Sequence, residues 1–442
     1  MNIEVLLFAN LEDINAESVN NYEVNKNLFE LNKFEAKKGQ MFFLADLGNT
    51  DWSTLIVGTG GCRSEYDFVN LGAKIGKKIG KDSDIKFVKK AKDLDIYSIE
   101  FGLAISTYSF DEFKSEKSSA VNFKVIDSEY SVEIQNKIQS IFWVRDMVNY
   151  PALTKSPEFF QEKVEDFIDG LDINLNIFDE KWILENNMGG VAGVAQGSDR
   201  SPKFLVGEYN PDAKKQIALI GKGVLFDSGG LSLKSPSGME TMKSDMAGAA
   251  TAWGIIALIA KQEVDIGLKV YTPIVENMPS GSAIRPGDVL KMRNGKTIEV
   301  MNTDAEGRLI MADALAYASE SSPDLICDVA TLTGAAYVAL GVEIGAVFSN
   351  NDSTLENFLN SNLDGFENYH SLPLEQSYKS LIKSSIADMK NSGGRFGGAI
   401  TAALLLEEFV DDINWIHLDI AGPGRSRLSL IHISEPTRPL EI

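Results

Sequence analysis

The chain has 442 residues, of which 44% are hydrophobic and 24% charged, and 63 acidic against 42 basic side chains give a net charge of −21. This composition is typical of a globular protein of two or three domains and excludes a disordered or fibrous one. The negative field repels phosphate backbones and anionic lipids, so we expect no nucleic-acid partner and no membrane partner. No apolar run approaches the roughly 18 residues of a membrane span. The N-terminus lacks the basic start of a signal peptide, which favours a cytoplasmic protein.

Histidine and cysteine are scarce. The three histidines form neither an HExxH motif nor a zinc-finger pair, which argues against a histidine-rich zinc site and a Ser-His-Asp hydrolase. Cys62 and Cys327 match no metal or redox spacing and fit a reducing compartment. A metal site in this chain would therefore depend on carboxylates.

Short apolar runs alternate with helical patterns from the beginning of the chain. The pattern predicts buried strands over 3–9 and 53–59 and an amphipathic helix over 66–81. A longer helical pattern over 131–150 ends before Pro151, and a proline disfavours helical backbone in the residue before it. We predict a domain junction at this long helix.

Longer elements alternate after Pro151. The predicted strands are 216–226, 266–276, 325–333 and 415–421, and the predicted helices are 246–262, 308–321 and 400–410. Strands of near-continuous apolar character that alternate with helices predict a mostly parallel sheet flanked by helices on both faces. We therefore expect an α/β protein with an N-terminal α/β domain (1–130), a linking helix (131–150) and a C-terminal domain (151–424).

Polar residues gather where predicted strands end and helices begin. Within the segment 221–234, Asp227 ends a strand, at the position where open α/β sheets bind ligands. A simple turn with solvated Lys222 and Lys234 is the alternative. Asp245 precedes a long apolar helix, where it could be a helix cap or a metal ligand.

The segment NTDAEGR (302–308) lies between a predicted strand and a predicted helix. In extended chain Asp304, Glu306 and Arg308 project to one side, which favours a functional cluster. The alternative is a capping box, because Thr303 and Glu306 have the required spacing. A glycine directly after Glu306 weakens that alternative, since a cap would gain nothing from it.

The clusters together contain four carboxylates at strand ends and helix starts: Asp227, Asp245, Asp304 and Glu306. Such a concentration of negative charge is destabilising unless cations fill it. Oxygen ligands select hard or borderline divalent cations, and shared carboxylates can bridge two ions. A lysine can join such a site only as the neutral amine. The sequence therefore predicts a carboxylate-rich site for divalent cations.

NTDAEGRL (302–309) resembles the signature octapeptide of the leucyl aminopeptidases, the M17 or cytosol aminopeptidase family. The resemblance extends to GKGVLFDSGGLSLK, MKSDMAGAA, NMPSGSAIRPGDVL and ATLTGA and covers roughly residues 145–423. It implies a cytoplasmic, metal-dependent aminopeptidase that hydrolyses the N-terminal peptide bond of peptides. A homohexamer and two divalent metal ions, Mn²⁺ or Zn²⁺, are implied as well.

The resemblance also implies a role for each metal ligand. Asp227 and Glu306 would bridge the two ions. Lys222 and Asp245 would complete the tighter site, and Asp304 would complete the more exchangeable one.

The same resemblance implies roles for four further residues. Lys234 would polarise the scissile carbonyl and stabilise the oxyanion. Arg308 would hold a bicarbonate ion that acts as general base toward the attacking water. Met242 and the backbone near Leu332 would line the substrate pocket.

The final segment, RSRLSLIHISEPTRPLEI (425–442), has no counterpart in that family. We predict a non-native tail, and a divergent C-terminus is the alternative. Two other functions stay open at this point: a two-metal phosphoesterase, since carboxylate-held ion pairs also serve phosphoryl transfer, and a binding homologue without turnover.

Overall fold

The structure is a computed structural model that describes residues 1–14, 28–44, 52–90, 94–117, 121–361 and 367–424. The predicted tail, 425–442, lies outside the described residues. The chain forms two compact units, one running from Met1 to Gln139 and the other beginning at Ser140. The boundary falls inside the helix Ser131–Asn149, the helix at which the sequence predicts the domain junction. Among the described residues, no helix is both long and apolar enough to cross a membrane.

The first unit is a small α/β unit. Its elements are β1 (Asn2–Phe8), β2 (Met41–Phe43), β3 (Trp52–Gly58), α1 (Glu65–Ile79), β4 (Ser83–Lys89), α2 (Ile96–Ile105) and β5 (Phe123–Val125), and a 3₁₀ turn covers Leu11–Asp13. The strands form one sheet in the order β2-β3-β1-β4-β5, in which only β2 is antiparallel to its neighbour. The predicted strands 3–9 and 53–59 and the predicted helix 66–81 are confirmed as β1, β3 and α1. Helix α1 begins at a capping box, in which Ser64 and Asp67 satisfy each other's backbone N–H groups.

The second unit carries most of the chain. After α3 (Ser131–Asn149), its helices are α4 (Pro157–Ile168), α5 (Glu180–Glu185), α6 (Gly189–Ala195), α7 (Pro236–Met239), α8 (Ala247–Lys261), α9 (Gly307–Ser319), α10 (Gly334–Leu340), α11 (Asp352–Ser361) and α12 (Gly398–Glu407), with 3₁₀ turns at Met242–Ser244 and Gln376–Ile382. Its strands are β6 (Asn174–Phe178), β7 (Lys203–Tyr209), β8 (Gln216–Gly221), β9 (Gly223–Asp227), β10 (Gly267–Asn277), β11 (Val289–Lys291), β12 (Thr297–Glu299), β13 (Leu325–Ala330), β14 (Ile344–Ser349), β15 (Asn368–Ser371), β16 (Met389–Lys390) and β17 (Trp415–Asp419).

The large sheet has the strand order β15-β14-β17-β13-β8-β10-β7-β6, with β9 paired to β10. Its centre is parallel, because β8 pairs in parallel with both β10 and β13, and β13 pairs in parallel with β17. Strands β6 and β7 at one side and the β14–β17 pair are antiparallel. The prediction of a mostly parallel sheet is confirmed. A separate three-stranded sheet joins β11, β12 and β16.

Helices cover both faces of the large sheet. Along β8, Ala218 and Ile220 belong to one hydrophobic cluster while Leu219 between them belongs to a second. Successive strand residues point to opposite faces, so the two clusters are two cores on either side of the sheet. Helices α6, α9 and α12 supply the first core, and α4 and α8 supply the second.

The prediction of a single strand over 216–226 is wrong. The chain forms β8 and β9 instead, and Lys222 lies in the break between them. Both strands pair with β10 in the same register, with Ile220 opposite Tyr271 and Gly223 opposite Ile274. The register shifts between Val275 and Asn277, and Asn277 lies opposite Asp227 at the end of β9.

Candidate metal centre

Three buried carboxylates meet at the carboxyl end of the parallel strands. Asp227 ends β9, Asp245 follows the 3₁₀ turn before α8, and Glu306 directly precedes α9. One oxygen from each lies within 4.8 Å of the others. Three segments that are far apart in the chain thus bring their carboxylates to one point.

The side chain of Lys222 enters this cluster. Its Nζ lies 2.8 Å from Asp245 Oδ2 and 3.0 Å from Glu306 Oε1, and it donates a hydrogen bond to the Thr331 carbonyl. Burial opposes the ammonium charge, but the carboxylates of Asp245, Glu306 and Asp227 outweigh it, so the pKa of Lys222 is raised. Lys222 thus places a positive charge beside Asp245 and Glu306.

Lys234 joins the fourth carboxylate to the cluster. Its Nζ lies 2.7 Å from Asp227 Oδ2 and 2.5 Å from Asp304 Oδ1. Burial opposes its charge as well, but Asp227 and Glu306 raise its pKa. Asp304 is more exposed than the other three acids, which places it on the open side of the cluster.

The donor set fits divalent cations. Burial raises the pKa of Asp227, Asp245 and Asp304, and neighbouring carboxylates raise these values further. Glu306 Oε2 is buried and has no hydrogen-bond partner among the described residues. A buried carboxylate oxygen without a donor is costly, and a cation would satisfy it. All four acids provide oxygen ligands, which hard and borderline cations prefer.

The two capping alternatives are wrong. Asp245 lies outside α8, which begins at Ala247 and has no side-chain cap. Thr303 does not form a capping box with Glu306, because α9 has no side-chain cap and the Thr303 hydroxyl donates to the Gly229 carbonyl. Asp245 and Glu306 both lie beside the Lys222 ammonium group instead.

Arg308 is buried in the first turn of α9. Its Nη1 donates to the Asn391 carbonyl at 2.7 Å, and its Nε has no hydrogen-bond partner among the described residues. Burial lowers its pKa to about 10, although the charges of Glu306 and Asp419 act in the opposite direction. The predicted convergence is thus partial: Asp304 and Glu306 meet lysines, while Arg308 contacts Asn391.

The two residues expected to line a substrate pocket are both half-buried. Met242 begins the 3₁₀ turn that leads to Asp245. Leu332 donates its backbone N–H to Asp419 Oδ1 at 3.1 Å. Its neighbour Thr331 contacts both Lys222 and Asp245, so Leu332 directly adjoins the cluster.

Sequence reasoning missed the residues that hold the acids in place. Asn277 donates from Nδ2 to Asp227 Oδ1 at 2.8 Å and to the Thr303 carbonyl at 2.9 Å. Thr331 Oγ1 donates to Asp245 Oδ1 at 2.8 Å. Both residues end or follow parallel strands, and that position is the one signal that could have identified them.

The chain is similar to known aminopeptidases in sequence and in fold. The model of the cytosol aminopeptidase family, catalytic domain, matches residues 142–435. A probable cytosol aminopeptidase of Syntrophotalea carbinolica is 42% identical over 337 residues, which are 73% of this chain and 68% of that protein. The bottromycin maturation enzyme BotP in complex with Mn has a TM-score of 0.87 and 29% identity, with 96% of this chain and 93% of that chain covered. The cytosol aminopeptidase from Coxiella burnetii has a TM-score of 0.85 and 31% identity, with coverage of 95% and 91%.

The α/β sheet and its buried acidic centre are those of a metal-dependent hydrolase. The chain belongs to the cytosol aminopeptidase family. It is a metal-dependent aminopeptidase, and the prediction of this class over a phosphoesterase or a silent binding homologue is confirmed. The family match runs to residue 435, into the segment 425–442, and the non-native origin of that segment stays a prediction.

Proposed function

We propose that this aminopeptidase holds two divalent ions, Mn²⁺ or Zn²⁺, between the four carboxylates and Lys222. The observation that carries the proposal is the meeting of Asp227, Asp245 and Glu306 within 4.8 Å, with Glu306 Oε2 buried and without a described donor. BotP, a structure of similar fold, is described in complex with Mn, which supports manganese. When bound, the ions would lower the pKa of a water molecule and polarise the scissile carbonyl.

The ligand roles follow the family resemblance. Asp227 and Glu306 would bridge the ions, Lys222 and Asp245 would complete the tighter site, and Asp304 would complete the exchangeable one. The more exposed position of Asp304 supports the last assignment. Lys222 must give up its proton to become a ligand, because only the neutral amine has a free lone pair.

Two basic residues would act on the substrate side. Lys234 would donate to the carbonyl oxygen as negative charge develops there, since a fixed cation favours the oxyanion. Arg308 would hold a bicarbonate ion that takes a proton from the attacking water. Its buried Nε, which lacks a described partner, supports an anion at this position.

The substrates would be peptides with a free N-terminus. Met242 and the backbone near Leu332 would contact the first residue, because both adjoin the acidic cluster. A catalytic domain over 151–424, a cytoplasmic location and a homohexamer belong to the same proposal. The name of the relatives, cytosol aminopeptidase, supports the location.

An amide-hydrolysis assay tests this proposal. Leucine amide is offered to the purified chain as prepared, after a chelator, and after Mn²⁺ or Zn²⁺ is returned. We expect activity that the chelator removes and the metal restores, and no hydrolysis of p-nitrophenyl phosphate. Full activity in excess chelator, or phosphate release without amide hydrolysis, would contradict the proposal.

A further inference from the structure

Asn391 directly follows the short strand β16. The neighbouring strand β12 leads into residues 301–306, the acidic loop, which carries Asp304 and Glu306. Strand β16 pairs in parallel with β12, and Asn391 extends this pairing by donating its backbone N–H to the Glu299 carbonyl at 3.0 Å. Its side chain is fully buried. It therefore reaches past the end of β12 toward residues 301–305.

The side-chain amide of Asn391 forms hydrogen bonds with the backbone of this loop. Oδ1 accepts from the N–H groups of Met301 and Asn302 at 2.8 and 3.2 Å. Nδ2 donates to the carbonyls of Asn302 and Ala305 at 2.7 and 3.3 Å. These four bonds fix the loop that carries Asp304 and leads directly into Glu306.

The backbone of Asn391 holds the other side of the same segment. Its carbonyl accepts a 2.7 Å hydrogen bond from Nη1 of the buried Arg308. Asn391 thus fixes both the loop before Glu306 and the side chain of Arg308 after it. The loop has little regular structure of its own between β12 and α9. The contacts of Asn391 hold it together with those that Thr303 makes to Ser232, Gly229 and Asn277.

We propose that Asn391 is a positioning residue for aminopeptidase catalysis, acting through Asp304, Glu306 and Arg308 without touching the substrate. The inference rests on the proposed metal and substrate roles of those three residues. Partners behind metal ligands fix the orientation of the ligands, and their loss typically costs about 10–100-fold in metal affinity or activity. Without the Asn391 amide, four backbone groups of the loop lose a partner, and the ligands lose their fixed placement.

The test uses two substitutions at this position. Asn391→Asp keeps the size and an acceptor for Met301 and Asn302, but it places a carboxylate oxygen against the carbonyls of Asn302 and Ala305. Asn391→Ala removes the whole amide. The measurements are Mn²⁺ affinity of chelator-stripped protein by titration calorimetry, then kcat and KM for leucine amide, and then thermal stability.

Asp388 provides a matched control at the opposite end of β16. Its Oδ2 accepts from the backbone N–H and the hydroxyl of Thr297 at 2.8 and 2.9 Å. Asp388→Ala therefore weakens the same strand pair without touching the acidic loop. We expect it to lower thermal stability and leave Mn²⁺ affinity and kcat unchanged.

For both Asn391 variants we expect Mn²⁺ affinity or kcat to fall by about 10–100-fold, with KM little changed. Wild-type Mn²⁺ affinity and kcat in a folded Asn391→Asp protein would overturn the inference. So would losses no larger than those of Asp388→Ala, because they would indicate a merely structural role. A wild-type protein that neither binds Mn²⁺ nor hydrolyses leucine amide would overturn the proposed function itself, and the inference with it.

Discussion

The end of the Lys222 side chain fills the space that a side chain on Gly307 would need. A Cβ at position 307 would lie 2.6 Å from Lys222 Cε and 2.7 Å from its Nζ. Glycine is a poor residue for the first turn of a helix, yet α9 begins with it. The missing side chain is what allows Lys222 to reach Glu306 at 3.0 Å.

Gly307→Ala should reduce activity strongly while leaving the protein folded. The atoms that would clash are the flexible end of Lys222, so the lysine must move away from the cluster while the helix stays in place. A misplacement of about 1 Å in a catalytic group can cost on the order of 100-fold in rate. The measurement is kcat/KM for leucine amide beside thermal stability. Gly281→Ala is the control, since a Cβ there meets no atom within 4 Å, and equal activity of the two variants would refute the role of Gly307.

Metal affinity should increase with pH. The surrounding carboxylates raise the pKa of Lys222, so the protein holds this proton tightly, and a metal ion that takes Lys222 as a ligand must displace it. Lowering the pH therefore favours the proton over the metal. Titration calorimetry of Mn²⁺ in buffers of different ionisation enthalpy should show proton release on binding. Binding without proton release would mean that Lys222 stays charged beside the metal.

Lys234→Ala should act mainly on kcat. The proposed charge acts on the oxyanion, and interactions made chiefly in the transition state appear in kcat. We expect a loss on the order of 10²–10³-fold, the usual cost of one oxyanion donor. Steady-state kinetics on leucine amide, with saturating Mn²⁺ to offset any effect on Asp227 and Asp304, would separate kcat from KM. A rise in KM alone would make Lys234 a ground-state binding residue.

A buried histidine–aspartate pair should make the free energy of unfolding depend on pH. His417 Nδ1 lies 2.6 Å from Asp328 Oδ1, and Trp415 donates to the other oxygen at 2.7 Å. Burial opposes the protonated imidazole, but Asp328 outweighs it, so the pKa of His417 is raised in the folded protein. The stabilisation is complete below the unfolded value of about 6.5 and is lost as the pH rises through the raised pKa.

Asp328→Asn should remove this dependence. The difference in unfolding free energy between wild type and variant, from urea denaturation, should be largest in acid and should shrink toward alkaline pH. One proton accounts for a slope of at most about 1.4 kcal/mol per pH unit. A difference that does not change with pH would mean that His417 stays neutral throughout.

The meeting of the acids could be predicted from the sequence, but part of their local backbone structure could not. Strand ends and helix starts indicated where Asp227, Asp245 and Glu306 would meet, because the carboxyl ends of parallel strands share one edge of the sheet. Asp245 and Thr303 also satisfy local rules for helix caps. Their long-range partners, Lys222 and the Gly229 carbonyl, take precedence over those rules in the fold.

Other features had no signal beyond their position at the end of a strand. The break at Lys222 divides an apolar run that reads as one continuous strand. The side chains of Asn277, Thr331 and Asn391 act through hydrogen bonds to partners remote in the chain, and five of these side-chain bonds go to backbone atoms. A bond to a backbone group imposes no residue type on its partner, so no spacing in the sequence reveals it.

Metal content measured together with activity tests the two-metal assignment most directly. Asp304→Asn and Glu306→Gln keep the shape of each side chain but remove its charge, and Asp388→Asn is the control because the partner of Asp388 is Thr297 in β12. After equilibration with Mn²⁺ and removal of free ions, we predict two ions per chain in the wild type and the control. Each site variant should have fewer than two ions, a folded structure and no measurable hydrolysis of leucine amide. Two ions and wild-type turnover in either site variant would contradict the assignment.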